Sequence, residues 1–88
     1  MPSGSKTDAD FQRALDLLER GDWQGAHAIV QRDEEAPLYC WAHAIVHLME
    51  GDVPNARYWY REAGRAFPEN PGIPEELKAL RRASRTGR

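Results

Sequence analysis

The chain repeats itself with a period of 30 residues, and this repeat limits the folds that it can adopt. Gly21-Asp22 recurs as Gly51-Asp52, and three further positions recur at the same spacing, namely Ala14 with Ala44, Leu18 with Leu48 and Ala26 with Ala56. Each Gly-Asp pair separates two segments whose apolar residues lie at helical spacing, as in a turn where glycine ends one helix and aspartate caps the next. The repeat therefore predicts two stacked helical hairpins that cover each other's apolar faces.

The apolar spacing along the whole chain predicts an all-α fold of five helices, the fifth of which is a C-terminal capping helix. Almost no segment alternates with period two, so strands are not expected. Residues 1–7 are predicted to be disordered, 8–86 to form a single domain, and 87–88 to end a basic tail. The first helix is predicted to start after Thr7 or Asp8 and to stop at Gly21, and the third to run from Pro37 to Glu50. The fourth is predicted to end at Phe67-Pro68, and the fifth to begin with Glu75-Glu76.

Length and composition exclude several classes of protein. The chain has 88 residues, which is one small domain and too few for a large enzyme core. No apolar run is long enough to cross a bilayer, and the polar N-terminus lacks the apolar stretch of a secretory signal, so a cytoplasmic location is expected. The single cysteine, Cys40, has no partner for an internal disulfide.

Charge is distributed unevenly along the chain. Residues 1–50 carry four basic and nine acidic side chains, whereas residues 51–88 carry eight basic and five acidic ones. The domain as a whole therefore lacks the strongly basic footprint of a nucleic-acid-binding protein. Nucleic acid is therefore not expected as a partner. The excess of basic side chains in residues 51–88 is better suited to an acidic protein or peptide.

The second hairpin resembles the tetratricopeptide repeat family, whose hairpin of about 34 residues places a Gly-Asp turn, alanines, an aromatic residue and a proline at fixed steps. The matching residues are Gly51, Asp52, Ala56, Tyr60, Ala63 and Pro68, with Ala44 at the small position of the first helix; the first hairpin matches at Gly21, Asp22, Ala26 and loosely Ala14. The resemblance covers about residues 8–68 and implies a module that binds a protein or peptide. His43 and His47 stand where the family usually carries leucine and tyrosine.

The chain is also similar to a group of small microbial and fungal proteins that combine a Trp/Ala/His helix, a His-x-x-x-His helix and an Asn-Ala-x-Tyr-Trp-Tyr helix. The matching residues are Trp23, Ala26 and His27; Trp41, His43 and His47; and Gly51, Asp52, Asn55, Ala56, Tyr58, Trp59 and Tyr60. This second resemblance implies no function.

One face of the predicted third helix carries several groups that can bind a metal. Cys40, His43, His47 and Glu50 follow at steps of three, four and three residues, which places them in one stripe. Two histidines four residues apart can chelate one ion, and His27 or Cys40 would supply a further zinc ligand. Ala44 stands where a zincin protease needs glutamate, so that class of site is not indicated.

The alternative is that the same histidines are core residues. The repeat places them on the face that packs inside the hairpin, where each imidazole needs hydrogen-bond partners for its ring nitrogens. Asn55, Tyr58 and Tyr60 are the partners expected from the register. If His43 and His47 are buried and neutral, acid should reduce helicity between roughly pH 6.5 and 5.

The fourth helix is predicted to present Arg57, Arg61 and Arg65 at four-residue spacing on one side, bordered by Tyr58 and Trp59. A row of guanidinium groups with an aromatic edge is suited to a carboxylate, a phosphate or an acidic peptide. The alternative is a solvated face on which Glu62 and neighbouring acidic residues balance the arginines.

Two functions from different classes follow from these patterns. The first is a small interaction module that binds a peptide or partner protein in the groove between helices one, three and four. The second is a protein that binds a metal such as zinc or a small ligand, or an enzyme, with its site at His27, His43 and His47. No nucleophile motif, oxyanion motif or phosphate loop indicates a specific reaction. Two repeats alone would leave an apolar face exposed, which predicts a homodimer.

Overall fold

A computed structural model describes residues 4–69 and 72–86 of the chain, and the side chains of residues 9–69 and 72–85. These residues form five α-helices and no strand, which confirms the all-α fold with five helices. The helices are α1 (Gly4–Glu19), α2 (Trp23–Val30), α3 (Pro37–Glu50), α4 (Val53–Glu62) and α5 (Ile73–Thr86).

The two Gly-Asp turns have the same hydrogen bonds, as the repeat predicts. Gly21 and Gly51 are left-handed, with φ of 83° and 88°. The N–H of Asp22 and that of Asp52 each donate to the carbonyl five residues earlier, over 2.8 Å in both turns. Each carboxylate then accepts the N–H three residues further on, over 2.9 Å and 3.3 Å respectively. The turns therefore end one helix and begin the next with the same backbone geometry.

Two helix limits differ from those expected. Helix α1 already begins at Gly4, and the side chains of Thr7 and Asp8, the expected caps, lie outside the described residues. Helix α4 ends at Glu62, well before Phe67-Pro68, because Gly64 adopts a φ of 75° and the N–H of Arg65 donates to the carbonyl of Tyr60 over 2.9 Å. The expected end at Phe67-Pro68 is thus wrong by more than one turn.

Helix α3 is the centre of the molecule and contacts each of the other four helices. Its residues from Tyr39 to Val46 are all buried, and they pack with Leu15 and Leu18 of α1, Val30 of α2 and Leu80 of α5. Because α3 is buried on all sides, it needs neighbours on every face, and the first hairpin, α4 and α5 supply them.

Helix α5 lies against α1 and α3 and is fixed there by polar contacts. The Nε1 of Trp41 and the hydroxyl of Tyr60 donate to Oε1 of Glu76, over 3.1 Å and 2.6 Å. At the other end of α5, Arg81 donates to three side chains of α1, namely Gln12, Asp16 and Glu19. The fifth helix thus covers the surface that α1 and α3 share. None of the helices in the described part of the chain is both long and apolar enough to cross a membrane.

Candidate metal centre

Three imidazoles from two helices meet between the hairpins. His27 lies on α2, and His43 and His47 lie one turn apart on α3. The Nε2 atoms of His27 and His43 are 3.1 Å apart, and one ring nitrogen from each of the three residues lies within 4.8 Å of the others. The structure therefore brings together the three histidines that the sequence analysis grouped.

His43 is the buried member of the group, with 4% of its surface exposed. Burial, together with the neighbouring His27 and His47, lowers its pKa to about 4, so the ring is neutral at physiological pH. Its Nδ1 atom is buried and has no hydrogen-bond partner among the described residues. A buried polar atom without a partner costs about 1–3 kcal/mol, and such atoms are uncommon in folded proteins.

Aromatic rings hold the imidazoles of α3 in position. The indole of Trp59, from α4, stacks on His43 with ring centroids 3.9 Å apart and an angle of 9° between the planes. The ring centroids of His43 and His47 lie 5.2 Å apart, and the angle between the two planes is 16°, so the two imidazoles of α3 are nearly parallel. Trp59 thus fixes the plane of His43.

Glu50 orients the third histidine. Its Oε1 lies 2.9 Å from Nδ1 of His47, whose side chain is 12% exposed. When Nδ1 donates to this carboxylate, Nε2 of His47 carries the free lone pair. In protein metal sites, the ring nitrogen of a histidine that does not bind the metal usually donates to a carboxylate in this way.

The distances fit a tetrahedral ion. Two nitrogens bound to one zinc at about 2.0–2.1 Å in tetrahedral geometry lie about 3.3 Å apart. The 3.1 Å between Nε2 of His27 and Nε2 of His43 is close to that value. The ring nitrogen of His47 lies within 4.8 Å of the other two, and the rings of His27 and His47 are only partly buried.

A second group overlaps this one. His47, Glu50 and Asp52 each offer a ligand atom within 4.8 Å of the others. Asp52, however, accepts from both the backbone and the side chain of Asn55, and these hydrogen bonds lower its pKa. Asp52 therefore serves first as the cap of α4, and the nitrogen set of His27, His43 and His47 is the better centre.

Cys40 does not join the group, although it lies on the same predicted stripe. Its thiol donates to the carbonyl of Glu34 over 3.4 Å, and burial raises its pKa, which disfavours the thiolate that a metal requires. The expected hydrogen-bond partners of the histidines are also placed elsewhere: Asn55 donates to Asp52, and Tyr60 donates to Glu76.

The arginines are not one row on one helix. Arg57 and Arg61 lie on α4, whereas Arg65 follows the end of the helix. The guanidinium of Arg57 lies over the ring of Phe67 at 4.4 Å, and that of Arg65 lies over the ring of Trp41 at 3.5 Å. Tyr58 is 45% exposed beside them.

Comparisons with protein-family models, with curated proteins and with solved structures found no match to this chain.

Proposed function

We propose that the chain binds a divalent transition-metal ion, with zinc favoured, through the imidazoles of His27, His43 and His47. The observation that carries this proposal is the meeting of three ring nitrogens from two helices, two of them 3.1 Å apart. Without an ion, the facing Nε2 atoms of His27 and His43 share one hydrogen bond, and His47 adds a third basic nitrogen within 4.8 Å. An ion shared by the three lone pairs stabilises the same arrangement.

The donor set determines the class of metal. Three imidazole nitrogens suit zinc, copper, nickel and cobalt, whereas magnesium and calcium prefer oxygen ligands. Divalent copper binds such sites more tightly than zinc in the usual order of affinities. With three protein ligands, zinc keeps a fourth position for water or for an exogenous ligand.

The test is a competition titration of the metal-free protein against a chromogenic zinc chelator. We expect one zinc ion per chain, and a loss of binding in His27→Ala and His47→Ala, which remove partly buried ligands without opening the core. Glu50→Gln should weaken zinc binding by about 10–100-fold, because it alters the hydrogen bond that orients His47. Glu62→Gln removes an exposed carboxylate from α4 and should have no effect.

Cobalt provides a spectroscopic readout of the same site. Tetrahedral Co²⁺ absorbs visible light strongly, so its spectrum in the wild-type protein should disappear in the double variant His27→Ala/His47→Ala. Equal zinc affinity in the wild type and in this double variant would contradict the proposal.

The relation to the tetratricopeptide repeat family is a further part of the proposal. It is supported by the two Gly-Asp turns with matching hydrogen bonds and by the order of two hairpins followed by a helix. A cytoplasmic location likewise stays a prediction from the sequence.

A further inference from the structure

The outer side of α4 and the segment after it carry three exposed guanidinium groups, those of Arg57, Arg61 and Arg65. We refer to these three residues as the cationic face. Among the described residues, no carboxylate lies within 4.0 Å of any of the three guanidinium groups. The nearby Glu62 therefore forms no direct ion pair with them.

Two of the three groups are held in position by aromatic rings. Arg57 lies over Phe67, whose ring packs edge-on against Tyr60 at 5.4 Å. Arg65 lies over Trp41, which is itself fixed by its hydrogen bond to Glu76. A guanidinium stacked on a ring leaves its N–H edge free for bidentate bonds, and a group that is already ordered loses less entropy when it binds.

Arg81 shows the contrasting arrangement. It donates to Asp16 at 2.8 Å, to Glu19 at 2.9 Å and to Gln12 at 2.9 Å, so its donors are used within the molecule. The chain has 14 acidic and 12 basic side chains, so acidic groups are in excess. Despite this excess, the cationic face has no ion pair with an acidic side chain among the described residues.

We propose that the cationic face binds an acidic, extended peptide segment of a partner protein. Arg57 and Arg61 lie four positions apart on the helix, which corresponds to a rise of about 6 Å along its axis. Alternate side chains of an extended peptide are about 6.6–6.8 Å apart, so carboxylates at every second residue match this spacing. Each arginine can bind one carboxylate with two N–H bonds, and the exposed Tyr58 adds an apolar edge with a hydroxyl group.

Nucleic acid fits the same face less well. Sequence-tolerant binding of single strands relies on exposed aromatic rings on which bases stack. Trp59 is stacked on His43, and Trp41 is buried beneath Arg65, which leaves Tyr58 as the exposed ring of this surface. The sequence predicts a peptide site in the groove between helices one, three and four. Helix α5 packs against both α1 and α3, whereas the cationic face is exposed.

The test measures the binding of a fluorescein-labelled peptide with glutamate at alternate positions, by fluorescence anisotropy at low salt and with a chelator present. The chelator makes the result independent of the metal site. Arg57→Glu/Arg61→Glu should weaken binding at least about tenfold, because it places like charges against the peptide. The matched control is Arg13→Glu/Arg20→Glu, which changes the net charge equally at exposed positions before the first turn and should alter affinity less than about twofold.

Three outcomes would overturn this proposal. They are the absence of binding by the wild-type protein, equal weakening in the two double variants, and tighter binding of a single-stranded RNA of the same charge. Circular dichroism of both variants confirms that each is folded, as expected for substitutions of exposed side chains.

Discussion

The protonation of His43 should make the stability of the fold depend on pH. In the metal-free protein its pKa is about 4, whereas an unfolded histidine titrates near 6.5. Below pH 6.5 the unfolded chain takes up a proton that the folded chain does not, so this histidine contributes its full stability above pH 6.5 and loses it as the pH falls towards 4. We expect the free energy of unfolding to fall by about 3 kcal/mol across that interval from this residue.

The measurement is urea unfolding of the metal-free protein at several pH values between 7.5 and 4. Carboxylates also titrate near the lower limit, so the comparison is with His43→Phe, which keeps a ring against Trp59 and removes the titrating nitrogens. The difference in stability between the two proteins should shift in favour of the variant as the pH falls. Parallel curves would contradict the assignment of this pH dependence to His43.

The residues of the site were predictable to different degrees. The spacing of His43 and His47 predicts a shared face, and the structure places His27 beside it. Cys40 shares that spacing, but different turns of a buried helix face different neighbouring elements. The thiol of Cys40 contacts the carbonyl of Glu34, in the loop before α3. Helical periodicity places a residue on a face but does not specify which neighbouring element that face meets at each turn.

At the scale of elements, the Gly-Asp turns depend on a backbone conformation that other residues adopt only with strain. A Cβ at Gly21 or Gly51 would meet no atom within 4 Å, so the cost of alanine there is the left-handed backbone alone. We expect Gly21→Ala and Gly51→Ala each to destabilise the fold by about 1–2 kcal/mol, and by similar amounts because the turns are alike. Thermal unfolding measures this, with Gln24→Ala, an exposed helical position, as the control that should change stability little. A loss confined to one of the two turns would contradict their equivalence.

The contact that fixes α5 can be tested separately. Glu76 accepts from Trp41 and Tyr60, and burial together with this carboxylate raises the pKa of Tyr60 above its ordinary value. Glu76→Ala leaves two buried donors without a partner and should cost about 2–4 kcal/mol. Glu76→Gln keeps an acceptor oxygen and should restore most of this loss, whereas Glu75→Ala at the exposed neighbouring position should cost less than about 0.5 kcal/mol. Equal stability of Glu76→Ala and Glu75→Ala in urea unfolding would contradict the role of Glu76.

The limits of the helices were predictable where a turn repeats and less so where it does not. Gly51-Asp52 has a counterpart 30 residues earlier, and both turns form as expected. Gly64 lacks such a counterpart, and the apolar spacing continues past it to Phe67, so the sequence favoured a longer α4. The left-handed conformation of Gly64 ends the helix, and Arg65 consequently turns back over Trp41.

At the scale of the whole molecule, the fifth helix changes the argument for self-association. Two repeats without neighbours predicted an apolar face and a possible homodimer, but α5 covers the surface shared by α1 and α3. The described large apolar side chains that stay exposed are Val53 and Tyr58. The homodimer stays a prediction, which light scattering at low and high protein concentration decides: a mass of 10.0 kDa at both would contradict it.

Metal binding should stabilise the whole fold, because the three ligands join helices of different hairpins. His27 belongs to the first hairpin, and His43 and His47 belong to the second, so the ion is a cross-link that the unfolded chain lacks. A free zinc concentration of about 100 times the dissociation constant adds about 2.7 kcal/mol to the stability of a protein that binds only when folded. For a domain of this size, such a gain raises Tm by about 10–20 °C.

The control for this stabilisation is the double variant His27→Ala/His47→Ala, whose Tm should not respond to zinc. Magnesium should not raise the Tm of either protein, because the site offers nitrogen ligands. An equal rise in the Tm of both proteins would mean that zinc acts through surface carboxylates. No rise in the Tm of the wild type would mean that the three histidines serve packing alone. A rise restricted to the wild type would show that an ion bound by these histidines stabilises the packing of the two hairpins, in a domain that buries a smaller share of its surface than a larger one does.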